Sequence, residues 1–270
     1  RGIDIKASPF TDAVGSITDR AFVAQCMDGV DAVIHPATLH KPHVGTHSYQ
    51  DFVDTNVTGT LVLLEAALEV GAKAFVFTST TSTFGSALTP GPGEPATWIT
   101  EDVTPVPKNI YGATKTAAES LCELFARRHG LPVIVLRTSR FFPEDDDDPE
   151  RRASRSLDNT QANELLYRRA DVADVVSAHL LATDKAPARG FARYIISATT
   201  PFSKGDLAEL REDAPGAVAR LFPDFPALYA SRGWSMFPEL DRVYVNALAR
   251  EELGWEPQYD FAHVLSSLRE

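Results

Sequence analysis

Two side chains able to move a proton stand four residues apart in the stretch NIYGATKTAAES: Tyr111 and Lys115. On a helix that spacing puts both on one face, a single turn apart. A free tyrosine, with a pKa of about 10, is a poor base at neutral pH, and an ammonium one turn away stabilises its phenolate. The same spacing also describes an ordinary surface pair, an aromatic stem beside a solvated charge. Hydroxyls crowd a second stretch, FTSTTSTFG, where Thr78, Ser79, Thr80, Thr81, Ser82 and Thr83 follow one another. A third, LHKPHVGTHS, carries His40, His43 and His47. On one face of a helix these would make metal ligands, but Pro42 and Gly45 work against a regular helix, and no metal site is expected.

The elements that must position these groups alternate. Apolar strands are predicted at 32–34, 74–78, 133–136 and 194–197. Helices are predicted around 22–27, over 56–70 (ended by Gly71), over 111–129 (ended by Gly130 and Pro132) and over 174–182. Strands and helices of this length in alternation mean a parallel sheet covered on both faces, which binds its ligand at the carboxyl ends of the strands. The stretches following the strands, 35–48, 78–84 and 137–142, are therefore where chemistry is expected. From about Thr199 the chain turns rich in Pro, Phe and Trp, as in LFPDFPALYASRGWSMFPEL, which reads as a smaller C-terminal lobe.

The totals narrow the function classes. The chain has 270 residues and a formal net charge of −11, which argues against nucleic acid or an anionic membrane as partner. Its two cysteines, Cys26 and Cys122, both fall in apolar helical patterns, so a reducing, cytoplasmic setting is expected rather than a disulfide framework. There is no apolar run of about 18 residues that would span a membrane, and the first residues carry no signal-peptide pattern. The acidic run at 144–148 reads as a solvated loop.

Taken together, eight pieces resemble, in order, the extended short-chain dehydrogenase/reductase family, the NAD-dependent epimerases and dehydratases of sugar nucleotides such as UDP-glucose 4-epimerase. They are VGSITDR, GVDAVIHPAT, DFVDTNVTGTLVLLEAA, AFVFTSTTSTFG, NIYGATKTAAE, LPVIVLRTSRFFP, ADVADVVSAHLLA and LGWEPQYDF. The resemblance implies an α/β, Rossmann-like doubly wound parallel sheet with a small C-terminal substrate-binding lobe. The NAD-binding domain would take residues 1–142 and 167–198, and the lobe 143–166 and 199–270.

It also implies roles. Tyr111 would exchange a proton with a substrate hydroxyl while hydride moves to or from nicotinamide, and Lys115 would hold the phenolate and the nicotinamide ribose. Thr80 aligns with the hydroxyl that bonds the reacting oxygen, with Ser79 and Ser82 as neighbours able to take its place. Asn56 matches a family asparagine near the active site and would equally serve as a helix N-cap. The related 4,6-dehydratases carry Thr-Asp-Glu where this chain has Thr80, Thr81 and Ser82, so elimination of water by that route is not expected.

For the cofactor, the resemblance implies contacts from Asp4, Ile5, Ile17, Asp19, Pro36, Ala37, Thr38, Thr78, Ser79, Tyr111 and Lys115. Asp4 would accept the ribose hydroxyls and repel a 2′-phosphate, which favours NAD over NADP. Asp19 would also cap a helix. The glycine-rich loop of the family is expected before Asp4. Substrate contacts fall to His40, Thr80, Ser82, Arg140 and Arg242, with Arg137, Arg168 and Arg169 in the same region. These arginines would hold a diphosphate or else form salt bridges with the acidic loop. The implied partner is a small molecule, a nucleotide sugar. A homodimer would form through helices 56–70 and 111–129, where Leu121, Leu124 and Phe125 would supply either that face or the core. The expected reaction is epimerisation through a transient ketone. Simple alcohol oxidation or ketone reduction uses the same three residues, and a non-catalytic dinucleotide sensor would share the fold.

Overall fold

The computed structural model describes residues 1–142 and 155–269; the acidic run at 144–148 lies outside the described residues. The chain divides into two compact units. The first comprises Arg1–Gly85, Thr104–Arg137 and His179–Tyr194, and the second Ser86–Val103, Thr138–Ala178 and Ile195–Glu270.

The first unit opens with two short parallel strands, β1 (Ile3–Asp4) and β2 (Ala13–Val14). Helix α1 (Arg20–Cys26) starts where the Asp19 carboxylate accepts the backbone N–H of Ala21 and Phe22. Strand β3 (Ala32–His35) leads to a 3-10 turn at Lys41–His43 and a helix that begins at Tyr49. That start lies seven residues ahead of the expected one. Ser48 and Asp51 form a capping box there, and no local pattern at Asn56 competes with it. The helix runs as α2 (Tyr49–Phe52), widens into a π-helical turn at Val53–Thr58, and continues as α3 (Gly59–Glu69).

Strand β4 (Ala74–Thr80) ends in a 3-10 turn at Thr81–Thr83. Helix α4 (Ile110–His129) is capped by Asn109, whose side chain accepts the Gly112 N–H, and it ends on left-handed Gly130. Next come β5 (Val133–Thr138), α5 (Val172–Arg189) and β6 (Phe191–Ile196). The last strand starts three residues earlier than its apolar run suggests, because left-handed Gly190 turns the chain straight out of α5.

Four strands form one sheet in the order β3, β4, β5, β6. β3 and β4 run parallel, with Ala32 opposite Ala74 and His35 opposite Phe77. Bonds from Phe75 N–H to Pro132 O and from Val133 N–H to Gly190 O join the starts of the next strands side by side, so the direction is kept. This is a Rossmann-like parallel α/β arrangement. β3 lies at the sheet's edge, with Ile34 43% exposed. The core on one face joins Phe75, Phe77, Val133 and Val135 to Leu63, Leu64 and Ala67 of α3 and Ala118, Cys122 and Phe125 of α4. Leu121 packs against this cluster, whereas Leu124 is exposed.

The second unit holds a parallel pair, Thr97–Ile99 with Arg242–Tyr244, and short helices at Leu157–Glu164, Leu207–Glu212, Ala214–Leu221, Phe225–Arg232, Ala247–Leu253 and Phe261–Arg269. Its core centres on Phe225, Tyr229, Phe261 and Leu265. The Trp255 indole donates to Asp174 O, and the Asp174 carboxylate accepts the Gln258 and Tyr259 N–H groups. This anchors the WEPQY segment. Among the described residues no helix is long and apolar enough to cross a membrane.

Candidate active site

The turn after β4 and the first turns of α4 are built to sit close together. Gly112 makes this possible: a Cβ there would lie 2.7 Å from Ser82 O. Gly85 adopts φ +52°, and a Cβ on it would lie 2.1 Å from Val106 O, so the segment before α4 runs hard against the end of the turn. Thr80 Oγ1 accepts the Ser82 N–H at 3.1 Å and thereby caps the 3-10 turn. That bond leaves the Thr80 hydroxyl hydrogen to donate elsewhere. Thr80 is buried, Ser82 half-buried.

Tyr111 and Lys115 follow on α4, one turn apart and both buried. Lys115 is 1% exposed, and its ammonium stands 4.0 Å over the Phe77 ring. Burial pushes Lys115 down to about 7, against the opposing pull of Cys122 and Glu119. His35, at the end of β3, is also 1% exposed. Burial first, and the Lys115 charge second, lower its pKa to about 3, so the ring is neutral. The Thr60 hydroxyl donates to Asn56 O at 2.6 Å, so His35 Nε2 must donate to Thr60 Oγ1 at 3.0 Å. Nδ1 then carries a bare lone pair, and no described group meets it.

Asn56 is not a helix cap. It lies in the π-helical turn, 1% exposed. Its Oδ1 accepts the Thr38 hydroxyl at 2.9 Å and the Leu39 N–H at 2.8 Å. Its Nδ2 donates to Leu39 O at 2.9 Å and to Thr114 Oγ1 at 3.0 Å. One amide therefore ties the segment after β3 to α4, between Tyr111 and Lys115. His40 comes next in that segment. His40, His43 and His47 stack edge to face, with ring centroids 4.7 and 5.0 Å apart. Among the described residues no group of three His, Cys, Asp or Glu side chains is placed to hold a metal ion.

Other residues singled out in the sequence fall as follows. The Thr78 hydroxyl bonds His179 Nε2 at 2.7 Å. The Ser79 hydroxyl donates to Glu119 at 2.5 Å, and neither atom is exposed. Ile17 packs into the core against Gly59, and Asp19 caps α1. Asp4, Ile5, Pro36 and Ala37 are exposed, and the Asp4 carboxylate accepts only the Lys6 N–H among described residues. Arg137 pairs with Glu119, and Arg168 and Arg169 both pair with Glu164. Arg140 is half-buried. Arg242, mostly buried, bonds Asp241 at 3.2 Å and the Thr89 hydroxyl at 3.4 Å; both arginines belong to the second unit.

Sequence reasoning passed over His35, Phe77, Gly112 and Glu119. The signal for Glu119 was present: with Lys115 and Cys122 it falls at i, i+4 and i+7 on a helix face that must meet the sheet.

The profile of the "NAD dependent epimerase/dehydratase family" matches residues 7–194. The dTDP-glucose 4,6-dehydratase of Streptomyces antibioticus is 30% identical over 92% of this chain and 72% of its own length. The UDP-glucose 4-epimerase of Rhizobium meliloti is 28% identical, over 87% and 75% respectively. A short-chain dehydrogenase/reductase superfamily protein from Agrobacterium tumefaciens, solved with bound NAD, superposes with a TM-score of 0.68 at 22% identity. It covers 99% of this chain and 88% of its own. The chain belongs to the NAD-dependent epimerase/dehydratase family.

Proposed function

We propose that the chain is an NAD-dependent sugar-nucleotide epimerase or oxidoreductase in which Tyr111 is the acid–base group. The observation that carries this reading is Lys115: a lysine buried to 1% exposure, one turn beyond Tyr111, on a helix whose first turn packs on the hydroxyl-bearing turn after β4. Among the described residues no carboxylate bonds it, and a cation held in such a place is costly unless a ligand uses it.

The residues present suit NAD. Asp4 offers an exposed carboxylate at a strand end, Pro36 and Ala37 an exposed shelf, and Lys115 a buried cation for ribose hydroxyls. Bound there, the nicotinamide would supply a hydride acceptor. Thr80 donates its free hydroxyl hydrogen to the reacting oxygen and fixes its position. Tyr111 takes the proton from that hydroxyl as it becomes a carbonyl and returns it when the ketone is reduced on either face. Lys115 favours the phenolate by its charge. Asn56 holds the loop bearing Thr38 and His40 against α4. The absence of a carboxylate at Thr81 and Ser82 favours oxidation and re-reduction over elimination.

Two measurements test this. Denaturing purified protein and identifying released nucleotide by mass spectrometry should yield NAD. Tyr111→Phe should lower turnover of UDP-glucose or dTDP-glucose at least 100-fold with the fold intact. Turnover that persists in Tyr111→Phe would sink the reading. Turnover that requires added coenzyme would favour a simple dehydrogenase over an epimerase.

A further inference from the structure

Lys115 is followed one turn later by a second buried charge, Glu119, at 2% exposure. Its carboxylate accepts the Ser79 hydroxyl at 2.5 Å, and Arg137 through Nε at 3.1 and 3.2 Å and through one Nη at 2.8 Å. Arg193 Nε stands 3.6 Å away. These partners come from β4, β5 and β6, so a single carboxylate on α4 reaches three strands of the sheet.

The position of each partner matters. Ser79 immediately precedes Thr80, the hydroxyl that meets the reacting oxygen. Arg137 also lies over the Phe84 ring, 5.0 Å from its centroid, and Phe84 closes the 3-10 turn that Thr80 opens. The turn bearing Thr80 is therefore gripped at both ends, through Ser79 before it and Phe84 after it. Both grips lead to the carboxylate one turn beyond Lys115. A well-packed apolar cluster in the same space would be as stable or more so, because burying ions costs desolvation that their attraction only partly returns. Directional bonds fix what apolar packing leaves loose, namely the distance and angle between a strand end and a helix.

We propose that Glu119 is a positioning residue: through Ser79 and Arg137 it sets Thr80 against Tyr111 and Lys115. This rests on the catalytic roles given above to those three. Ser79 then serves through its bond to Glu119 rather than by touching the cofactor.

The test uses Ser79→Ala, Glu119→Gln and the double variant, with Tyr111→Phe as a control on the reading itself. Kinetics are followed with whichever of UDP-glucose and dTDP-glucose the wild type converts, and NAD affinity by calorimetry. Ser79→Ala removes one hydroxyl and should fold. A displaced reacting group costs rate rather than affinity, so kcat should fall 10-fold or more, with KM and NAD affinity within twofold. The two single substitutions cut one clamp, so the double variant should be no more than about threefold slower than the worse single one. A folded Ser79→Ala with wild-type kcat would overturn the proposal, as would losses that multiply in the double variant. Weakened NAD affinity with kcat retained would overturn it too, by making Ser79 a cofactor contact. If Tyr111→Phe turns over normally, the catalytic reading itself has failed, a result separable from these.

Discussion

The Lys115 ammonium stands 4.0 Å over the ring of Phe77, with His35 tilted against the same ring at 5.4 Å between centroids. One aromatic face thus supports a cation beside an imidazole kept neutral. The cation–π contact offsets part of the cost of burying the charge. The rest shows in Lys115's fall from 10.5 to about 7.

That fall makes Lys115 a burden on the ligand-free protein. The unfolded chain holds the lysine proton up to about pH 10.5, and the folded chain releases it above about 7, so stability should rise with pH between the two. Lys115→Met should stabilise the ligand-free protein near pH 7 by on the order of 3 kcal/mol, an advantage that shrinks toward pH 10, while ending turnover. Urea unfolding at pH 7 and pH 9.5 measures this. A pH-independent difference between the two proteins would contradict it.

His35 acts at the acid end. Its folded pKa of about 3 lies below the ordinary 6.5, so the unfolded state takes up its proton first and stability drains away as pH falls through that window. His35→Leu lacks this term. Relative to wild type it should gain about 1.4 kcal/mol per pH unit below 6.5. Chemical denaturation at pH 7, 5.5 and 4.5 gives the slope directly, and parallel curves would rule the effect out.

Asn56 closes four hydrogen bonds, three of them to Thr38 and Leu39. Asn56→Ala should cost about 3 kcal/mol, because the half-buried groups of Thr38 and Leu39 and the buried Thr114 hydroxyl lose their partner. Asn56→Asp should cost at least as much, since a carboxylate oxygen would face Leu39 O. Limited proteolysis should then cut within residues 38–48, and a wild-type digestion pattern would argue that the loop is held elsewhere.

Gly112→Ala sets two effects against each other. Alanine favours a helix by about 1 kcal/mol, yet its Cβ would meet Ser82 O at 2.7 Å and Pro107 Cβ at 3.1 Å. The close contact should win, lowering the melting temperature and reducing kcat about 100-fold by moving Tyr111 away from Thr80. A raised melting temperature would mean the contact yields freely.

What could be read from the sequence was whatever local pattern controls. Helix α4 announces itself by its apolar stripe between Asn109 and Gly130, and β4 by its run of Phe and Val. Pairings across distance were not legible. Glu119 and Arg137 lie 18 residues apart on different elements, so nothing local marks them as partners. For the same reason the sequence left Arg137, Arg168 and Arg169 open between a diphosphate and a salt bridge, without naming Glu119 or Glu164 as the carboxylates they pair with. Asn56 misled differently: its type suits a helix start, but Ser48 with Asp51 makes the better one, and tertiary bonds then claimed the amide.

The widened turn at Val53–Thr58 carries a consequence for the chain's length. Adding or removing one residue in a helix rotates all that follows by about 100°. Phe52, fully buried on one side of the turn, and Leu64, fully buried on the other, are held in phase by that width. Deleting any one residue from 53 to 55 would let the turn close to regular α-helix, which holds about one residue fewer per turn, so the flanks would stay in phase. An added residue would find no further width to absorb it, and either Phe52 would leave the core or α3 would turn its apolar stripe to water. The segment should therefore bear the loss of one residue far better than the gain of one.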